Sequence, residues 1–334
     1  MSLNVYITRQ IPEEGINLLK NHCQTVEVNP HDRSLSYEEL LKQVKGRDAI
    51  LTMLSDKIDA HLINEATYPC LKHTGTSLRI IANYAVGYDN VDVKAATAKG
   101  IVVTNTPGVL TDSTADMAWA LLLSITRRIV EGDRYTRAGK FVGWEPMLLL
   151  GGDLMEKTLG IIGAGRIGTA MAVRSKGWNM KVLYTTQSTR NAVLEETLGA
   201  KKVDLETLLK ESDFISIHTP ITEKTRHMIG AKEISMMKRT AYLINTARGT
   251  VIDEESLVNA LKNKQIAGAG LDVYEEEPKL KPGLADLDNV VLAPHLGSAT
   301  IETRTKMAIM AAENIIAVLN KQKPKNCVNP EVLT

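Results

Sequence analysis

The stretch Thr158-Leu159-Gly160-Ile161-Ile162-Gly163-Ala164-Gly165-Arg166-Ile167-Gly168 decides the fold of this chain. It reads as a short apolar strand, a glycine turn and the start of a helix, the context in which G-x-G-x-x-G indicates a dinucleotide site. Gly163 allows the tight turn, Gly165 lets backbone N–H groups approach a pyrophosphate, and Gly168 lets the helix pack closely on the strand. The helix N-terminus attracts phosphate. An ordinary strand-to-helix turn is the alternative, but strand, turn and helix together favour the dinucleotide site.

The composition indicates a globular protein of two domains. The 334 residues are enough for two cores, and 44% hydrophobic with 24% charged residues is ordinary for this class. The net charge of +1 gives no excess of positive charge for binding nucleic acid, so we expect no such partner.

Cysteine usage and hydropathy bear on the compartment. Cys23, Cys70 and Cys327 lie far apart without metal-ligand spacing, so we expect no metal site and no disulfide framework, which favours a reducing compartment. The chain starts with strand character instead of a leader, and its longest apolar stretch, near 117–125, is about half a membrane span. These features predict a cytoplasmic protein without membrane contact.

Two series of alternating strands and helices follow one another along the chain, and they predict an α/β fold with two doubly wound parallel sheets. The first series has a helix at 12–22 and strands at 4–8, 48–54, 78–82 and 101–104. The second series begins at Thr158 and continues with strands at 181–185, 214–218, 241–245, 268–271 and 290–293.

A break and a long helical run separate the two series. Asn105-Thr106-Pro107-Gly108 interrupts the first pattern, a helix is expected at 112–127, and 134–150 shows little periodicity. We interpret 112–150 as a dimerisation segment of a homodimer, with a long surface loop as the alternative for its second half. The helix at 301–319 is expected to return to the first domain.

Three segments late in the second series carry chemically active side chains at the ends of strands, where open α/β sheets bind ligands. Arg248 follows the strand at 241–245, and a guanidinium there can clamp a carboxylate. The glutamate run ending at Glu277 alone would be a solvated turn. His295 alone would more often be a structural hydrogen-bonding group, and Arg248 alone could be a surface ion pair.

Taken together, these segments resemble the D-isomer-specific 2-hydroxyacid dehydrogenase family, and more closely its glyoxylate/hydroxypyruvate reductase branch. The resemblance covers essentially the whole chain and is carried by residues 83–92, 105–111, 163–168, 245–249, 271–278 and 294–298. It implies a Rossmann-type cofactor domain, residues 105–296, inserted in a flavodoxin-like substrate domain made of 1–104 and 297–334. Substrate is then expected in the cleft between these two domains.

The resemblance also implies the roles of individual residues. Arg248 would bind the carboxylate of a 2-oxo acid and polarise its ketone, His295 would donate the proton, and Glu277 would stabilise the charged imidazole. The implied substrate contacts are Leu54, Ser55, Val86, Gly87, Arg248 and His295. The implied cofactor contacts are Gly163, Gly165, Arg166, Ile167, Gly168, Gln187, Ser188, Thr189, Arg190, Thr219, Pro220, Thr246, Ala247, Asp272 and Gly297.

The segment after the strand at 181–185 decides the expected cofactor. The acid that grips an NAD ribose is expected there, but no Asp or Glu occurs in 186–190. Ser188, Thr189 and Arg190 could bind a 2′-phosphate, so NADP(H) is preferred, with NAD(H) as the alternative. NADPH-using relatives often carry an arginine where this chain has Gln187.

The expected activity is NAD(P)H-dependent reduction of small 2-oxo acids to D-2-hydroxy acids, with glyoxylate, hydroxypyruvate and also 2-ketogluconate as substrates. D-lactate and phosphoglycerate dehydrogenases would usually carry the ribose-binding acid, and formate-type relatives lack the glutamate at the position of Glu277. The alternative from another class is a dinucleotide-sensing, corepressor-like interaction protein, which shares the fold and can keep the same three residues.

Overall fold

The computed structural model describes residues 3–67, 78–187 and 190–333. The chain divides into two units, Met1–Leu110 with Ala299–Thr334, and Thr111–Ser298. Both boundaries lie a few residues later than the predicted ones at 104/105 and 296/297. Asn105 and Thr106 stay with the first unit because their N–H groups donate to the carbonyls of Asn326 and Ala85 at 3.3 and 2.8 Å.

The first unit holds a parallel sheet whose described strands are β1 (Asn4–Ile7), β2 (Thr25–Val28), β3 (Ala49–Thr52), β4 (Ile80–Asn83) and β5 (Val102–Thr104). Their order, β2-β1-β3-β4-β5, is the flavodoxin-like one. The helices of this unit are α1 (Glu13–Lys20), α2 (Tyr37–Val44), α3 (Ala60–Ala66), α4 (Val93–Ala98) and, from the far end of the chain, α12 (Ile301–Leu319).

Helix α12 completes the core of the first unit by packing on α1 and the sheet. Its alanines 308, 311 and 312 are fully buried. A Cβ added to Gly15 of α1 would lie 2.8 Å from Ala308, so the two helices approach closely only because this residue is glycine. The predicted helix at 301–319 and its return to the first unit agree with the structure.

The second unit holds a larger parallel sheet. Its described strands are β6 (Thr158–Ile162), β7 (Lys181–Thr185), β8 (Lys201–Lys202), β9 (Phe214–Ile217), β10 (Tyr242–Asn245), β11 (Gly268–Leu271) and β12 (Val290–Leu292). They lie in the order β12-β11-β10-β9-β6-β7-β8, which is the Rossmann order around the first strand, β6. The helices are α5 (Thr111–Thr126), α6 (Ile129–Arg137), α7 (Arg166–Arg174), α8 (Ala192–Leu198), α9 (Leu205–Glu211), α10 (Ala231–Met236) and α11 (Glu254–Lys262).

The predicted fold class is confirmed, and three elements of the structure were not predicted. Strands β2 and β8 were not predicted, because β2 is a half-exposed edge strand and β8 consists of two exposed lysines. Helix α6 was not predicted either, and it extends into 134–150, where the sequence shows little periodicity. Helix α6 has no buried residue, so it does not contribute to the core of its unit.

Helix α5, the first half of the predicted dimerisation segment, belongs to the core of its own unit. Its residues Ala115, Ala118 and Leu122 are fully buried, and the indole N–H of Trp119 donates to the carbonyl of Met171 at 3.0 Å. Within 112–155, the large apolar side chains that are exposed lie beyond α5, between residues 129 and 155.

Across the described ranges no helix is long and apolar enough to cross a membrane. In the same part of the chain, no group of three His, Cys, Asp or Glu side chains is arranged to hold a metal ion. Cys23 and Cys327 are free thiols, and Cys70 lies outside the described residues.

Candidate active site

The glycine turn after β6 is tightly packed at its first and third glycines. Gly163 has φ +97°, and a Cβ there would lie 2.7 Å from the carbonyl of His218 and 2.8 Å from the N of Thr219. A Cβ on Gly168 would lie 2.1 Å from the carbonyl oxygen of Gly163. These two positions are therefore fixed by the turn and by the contact between helix and strand.

The middle glycine is different, because the space in front of it is open. Gly165 is exposed and is the N-cap residue of α7, whose first turn has no side-chain cap from the described residues. A Cβ on Gly165 would have no atom of the described residues within 4 Å. Arg166 is exposed and Ile167 half-buried at the start of the helix. Uncapped N–H donors facing open space fit the pyrophosphate of a dinucleotide.

Asn191 ties the chain after β7 to this turn. Its Nδ2 donates to the carbonyl of Ala164 at 3.0 Å and to Oγ1 of Thr169 at 2.7 Å. Its Oδ1 accepts the N–H of Leu194 and so caps α8. The end of β7 is adjacent as well, since Gly163 N–H donates to the carbonyl of Thr185 at 2.9 Å.

The predicted 2′-phosphate contacts lie on this same segment. Gln187 is exposed, and Arg190 forms an ion pair with Glu195 at 2.8 Å. Ser188 and Thr189 lie outside the described residues.

The chain after β9 borders the glycine turn on its other side. Oγ of Ser216 and Nε2 of His218 lie 2.8 Å apart, and burial lowers the pKa of His218 to about 3. This imidazole is therefore neutral at neutral pH. Thr219 is half-buried beside Gly163, and the carbonyl of Pro220 accepts a hydrogen bond from Thr225 at 2.7 Å.

The end of β10 presents Arg248. Asn245 shapes this turn, because its Oδ1 accepts the N–H of Ala247 at 3.0 Å and its Nδ2 donates to the carbonyl of Arg248 at 2.9 Å. Arg248 is half-buried, and its Nη1 donates to the carbonyl of Ala247 at 2.8 Å. The hydroxyl of Thr246 is buried, and among the described residues it has no hydrogen-bond partner.

Asp272, after β11, fixes the backbone that carries His295. Its side chain is fully buried, and its two oxygens accept the N–H groups of Leu296 and Gly297 at 2.6 and 2.7 Å. Its carbonyl accepts the N–H of His295 at 3.0 Å. Burial raises the pKa of Asp272, against the opposing effects of the two N–H groups and of His295. His295 itself has φ +56°, so these bonds hold a strained left-handed residue in place.

Glu277 and His295 form a hydrogen-bonded pair. Oε2 of Glu277 lies 2.9 Å from Nδ1 of His295, and its Oε1 accepts the N–H of Tyr274 at 3.1 Å. Burial acts to raise the pKa of Glu277, but the hydrogen bond and charge of His295, the Tyr274 N–H and the charge of Arg248 together lower it. The structure thus brings Arg248, Glu277 and His295 into one electrostatic cluster.

Hydrogen bonds and a close backbone contact fix the segment that carries Glu277. The carboxylate of Glu254, which is 2% exposed, accepts the N–H of Glu275 at 2.8 Å. The hydroxyl of Tyr274 donates to the carbonyl of Ala293 at 2.9 Å, and burial raises its pKa to about 12. A Cβ on Gly249 would lie 1.8 Å from the carbonyl carbon of Tyr274, so the arginine turn and this segment are in direct contact.

In the first unit, the predicted substrate contacts lie on neighbouring loops after β3 and β4. Leu54 and Ser55 follow β3, and Oγ of Ser55 accepts a hydrogen bond from Ser34 at 3.1 Å. Asn83 Nδ2 donates to the carbonyl of Gly87 at 2.8 Å. The carbonyl of Val86 accepts a hydrogen bond from Asn105 Nδ2, also at 2.8 Å.

Several supporting residues were not found from the sequence. Asn191 and Asn245 shape the two turns of the second unit, and Asn90 links the two loops of the first by donating to the carbonyl of Met53 at 3.0 Å and to Oδ1 of Asn83 at 3.1 Å. Each is an asparagine in a loop, a residue type that often bonds to nearby backbone. That signal was available, but it does not by itself identify which turn matters.

Comparison with known proteins gives consistent results. Residues 119–297 match the family model described as D-isomer specific 2-hydroxyacid dehydrogenase, NAD binding domain. The chain is 52% identical to a glyoxylate reductase of Thermococcus litoralis, with 100% of this chain and 99% of that protein covered.

Two solved structures are also similar. A glyoxylate reductase from Paecilomyes thermophila has 31% identity and a TM-score of 0.85, with 99% of each chain covered. An NADPH-dependent glyoxylate/hydroxypyruvate reductase from Sinorhizobium meliloti, in complex with NADP and malonate, has 32% identity and a TM-score of 0.84, with 98% of this chain and 97% of that one covered.

Proposed function

This chain belongs to the D-isomer-specific 2-hydroxyacid dehydrogenase family, and we propose that it is a reductase of glyoxylate and hydroxypyruvate that also accepts 2-ketogluconate. The protein is a D-2-hydroxyacid dehydrogenase that uses a nicotinamide dinucleotide. The observation that carries the substrate proposal is the pair of Glu277 and His295, 2.9 Å apart and close to the charge of Arg248, in a chain 52% identical to a glyoxylate reductase.

Arg248 is proposed to hold the substrate. Its guanidinium offers paired donors to the carboxylate of a 2-oxo acid and places positive charge near the ketone oxygen, where negative charge develops. Asn245 fixes the turn that carries it. The bound reduced nicotinamide supplies the hydride that C2 of the substrate receives.

His295 is proposed to supply the proton. With Nδ1 bonded to Glu277, the opposite ring nitrogen, Nε2, is the atom that protonates the C2 oxygen. Glu277 stays ionised because its pKa is lowered, so it favours the imidazolium form and fixes the ring orientation. Leu54, Ser55, Val86 and Gly87 stay predicted substrate contacts.

The proposed cofactor is NADP(H), with NAD(H) as the alternative. The uncapped start of α7 beside Gly165 supports a dinucleotide, and no acidic residue directly follows β7 to exclude a 2′-phosphate. One similar structure, that from Sinorhizobium meliloti, is of a reductase in complex with NADP. We assign the pyrophosphate to Gly163, Gly165 and Gly168 with Arg166 and Ile167. The remaining proposed contacts are Gln187, Ser188, Thr189, Arg190, Thr219, Pro220, Thr246, Ala247, Asp272 and Gly297.

The function is tested by following NADPH and NADH oxidation with glyoxylate, hydroxypyruvate, 2-ketogluconate, pyruvate and phosphohydroxypyruvate. We expect the first three to be reduced and the last two to be poor substrates. Arg248→Lys is the matched control, because it keeps the charge but loses the paired donors. A protein that binds dinucleotide but reduces none of the five acids would refute the proposal. The similar proteins reported above are reductases, so they give no support to the corepressor-like alternative.

We propose that the protein is a homodimer joined through the part of 112–150 beyond α5. Exposed apolar side chains are concentrated there, and Val142 and Trp144 are 88% and 85% exposed. Such a patch is typical of an interface between subunits. Light scattering of the parent and of Trp144→Glu tests this, because an unchanged dimer in the variant contradicts the assignment. A cytoplasmic location is proposed from the sparse cysteines, of which Cys23 and Cys327 are free.

A further inference from the structure

Two oppositely charged side chains lie on the segment that follows β7. Nε of Arg190 is 2.8 Å from Oε2 of Glu195, and the same arginine lies 4.0 Å from Glu196. The two side chains differ in exposure: that of Arg190 is 62% exposed and that of Glu195 only 24%. The other oxygen of Glu195 accepts the hydroxyl of Tyr184 at 2.6 Å, and Tyr184 is fully buried. The carboxylate is therefore fixed, and the guanidinium is the partner that can move.

This pair lies close to the glycine turn. Asn191, the next residue after Arg190, donates through its side chain to the carbonyl of Ala164 within the turn, and its backbone N–H donates to the hydroxyl of Tyr184 at 2.9 Å. Tyr184 therefore holds both Asn191 and Glu195. In this fold the ribose of the adenosine half follows the pyrophosphate toward the end of the second strand, which here is β7.

We propose that Glu195 sets the discrimination between NADP(H) and NAD(H), because it competes with the 2′-phosphate for Arg190. The inference rests on the proposed function as a dinucleotide-dependent reductase. A 2′-phosphate attracts an arginine through charge and paired donors. To reach it, Arg190 must leave Glu195, and the fixed carboxylate then remains as an unpaired negative charge near the phosphate. NAD(H) carries a 2′-hydroxyl and leaves the pair intact.

The size of the effect follows from the exposure of the pair. Exposed ion pairs contribute at most ~1 kcal/mol, which is about a fivefold change in Kd at 1.36 kcal/mol per factor of ten. The competition therefore weakens NADP(H) binding without preventing it. This competition gives a role to both charged residues of the segment after β7: Arg190, which can bind the 2′-phosphate, and Glu195, which lies one turn into α8.

The test is calorimetric titration of the full-length protein with NADP⁺ and, separately, with NAD⁺. Glu195→Gln keeps the size of the side chain and an oxygen for Tyr184 but removes the charge. It is expected to lower the Kd for NADP⁺ about fivefold and to change the Kd for NAD⁺ by less than about twofold. Glu196→Gln is the matched control, because it removes the same charge from a side chain that is 74% exposed, and it is expected to leave both constants nearly unchanged.

A second variant tests whether the effect passes through the arginine. In an Arg190→Ala background, Glu195→Gln is expected to produce less than half of its gain in NADP⁺ affinity, since no guanidinium remains to be released. Equal effects of Glu195→Gln on both dinucleotides, or no effect on either, would overturn the inference while leaving the reductase function standing. Failure of the parent protein to bind either dinucleotide would instead refute the proposed function and this inference together.

Discussion

Replacing Gly165 with alanine tests where the dinucleotide binds. Its φ and ψ of −77° and −163° are accessible to alanine, and the added Cβ meets no described atom within 4 Å. The change in unfolding free energy is expected to stay within about 0.5 kcal/mol, because the entropic gain of Gly→Ala and the small loss at an N-cap nearly cancel. The methyl group, however, occupies the space in front of the uncapped first turn of α7.

The Gly165→Ala substitution is expected to weaken cofactor binding. Loss of one backbone hydrogen bond to a charged phosphate amounts to ~1.5–3 kcal/mol, so the Kd for NADPH should rise about 10- to 150-fold. Gly168→Ala is the contrasting variant, because its Cβ would lie 2.1 Å from the carbonyl oxygen of Gly163 and should lower stability by at least about 1–3 kcal/mol. Fluorescence titration with NADPH and urea unfolding measure the two quantities. Unchanged NADPH affinity in Gly165→Ala, or loss of affinity matched by loss of stability, would refute the reasoning.

Three further predictions concern the charged groups. Arg248→Ala should raise the KM for glyoxylate and lower kcat, because the substrate loses a charged hydrogen-bonded contact; together kcat/KM should fall about 100-fold. If steady-state kinetics show both constants unchanged, another residue must bind the carboxylate. Glu277→Gln should lower kcat/KM for glyoxylate about tenfold or more, because the ring of His295 loses the charged hydrogen-bond partner at its Nδ1; unchanged steady-state constants count against the pairing. The pKa of His218 is lowered to about 3 in the folded protein, so as the pH falls this imidazole takes up a proton in the unfolded chain first. The unfolding free energy should therefore drop by ~2 kcal/mol between about pH 7.5 and pH 5. Urea titrations measure this drop, and His218→Asn should abolish it.

The fold was predictable because its strongest signals are local. The glycine turn after β6 and the apolar strands that alternate with helices indicate a Rossmann-type sheet, and the structure has that strand order. Strand β8 could not be predicted, since Lys201 and Lys202 carry no apolar pattern and pair with β7 only through backbone. Helix α6 was not predicted either, and none of its residues is buried.

In the candidate site, the sequence indicated the proposed reacting groups but not the residues that support them. Arg248, Glu277 and His295 stand next to strand ends in recognisable segments, although their catalytic roles stay predictions. Asn191 and Glu254 did not stand out in this way, because their supporting hydrogen bonds join residues distant in sequence: Asn191 with Ala164, and Glu254 with Glu275. Contacts of this kind depend on tertiary structure, and a single sequence does not reveal them.

The left-handed backbone at His295 has a practical consequence for anyone wishing to silence this enzyme. Valine or isoleucine at that position would add conformational penalty to the loss of the imidazole, and the two effects could not be separated. Asparagine tolerates such torsion angles far better than most residues, so it removes the proposed proton donor while sparing the peptide geometry. His295→Asn is therefore the substitution of choice for trapping an inert complex of the protein with both of its ligands.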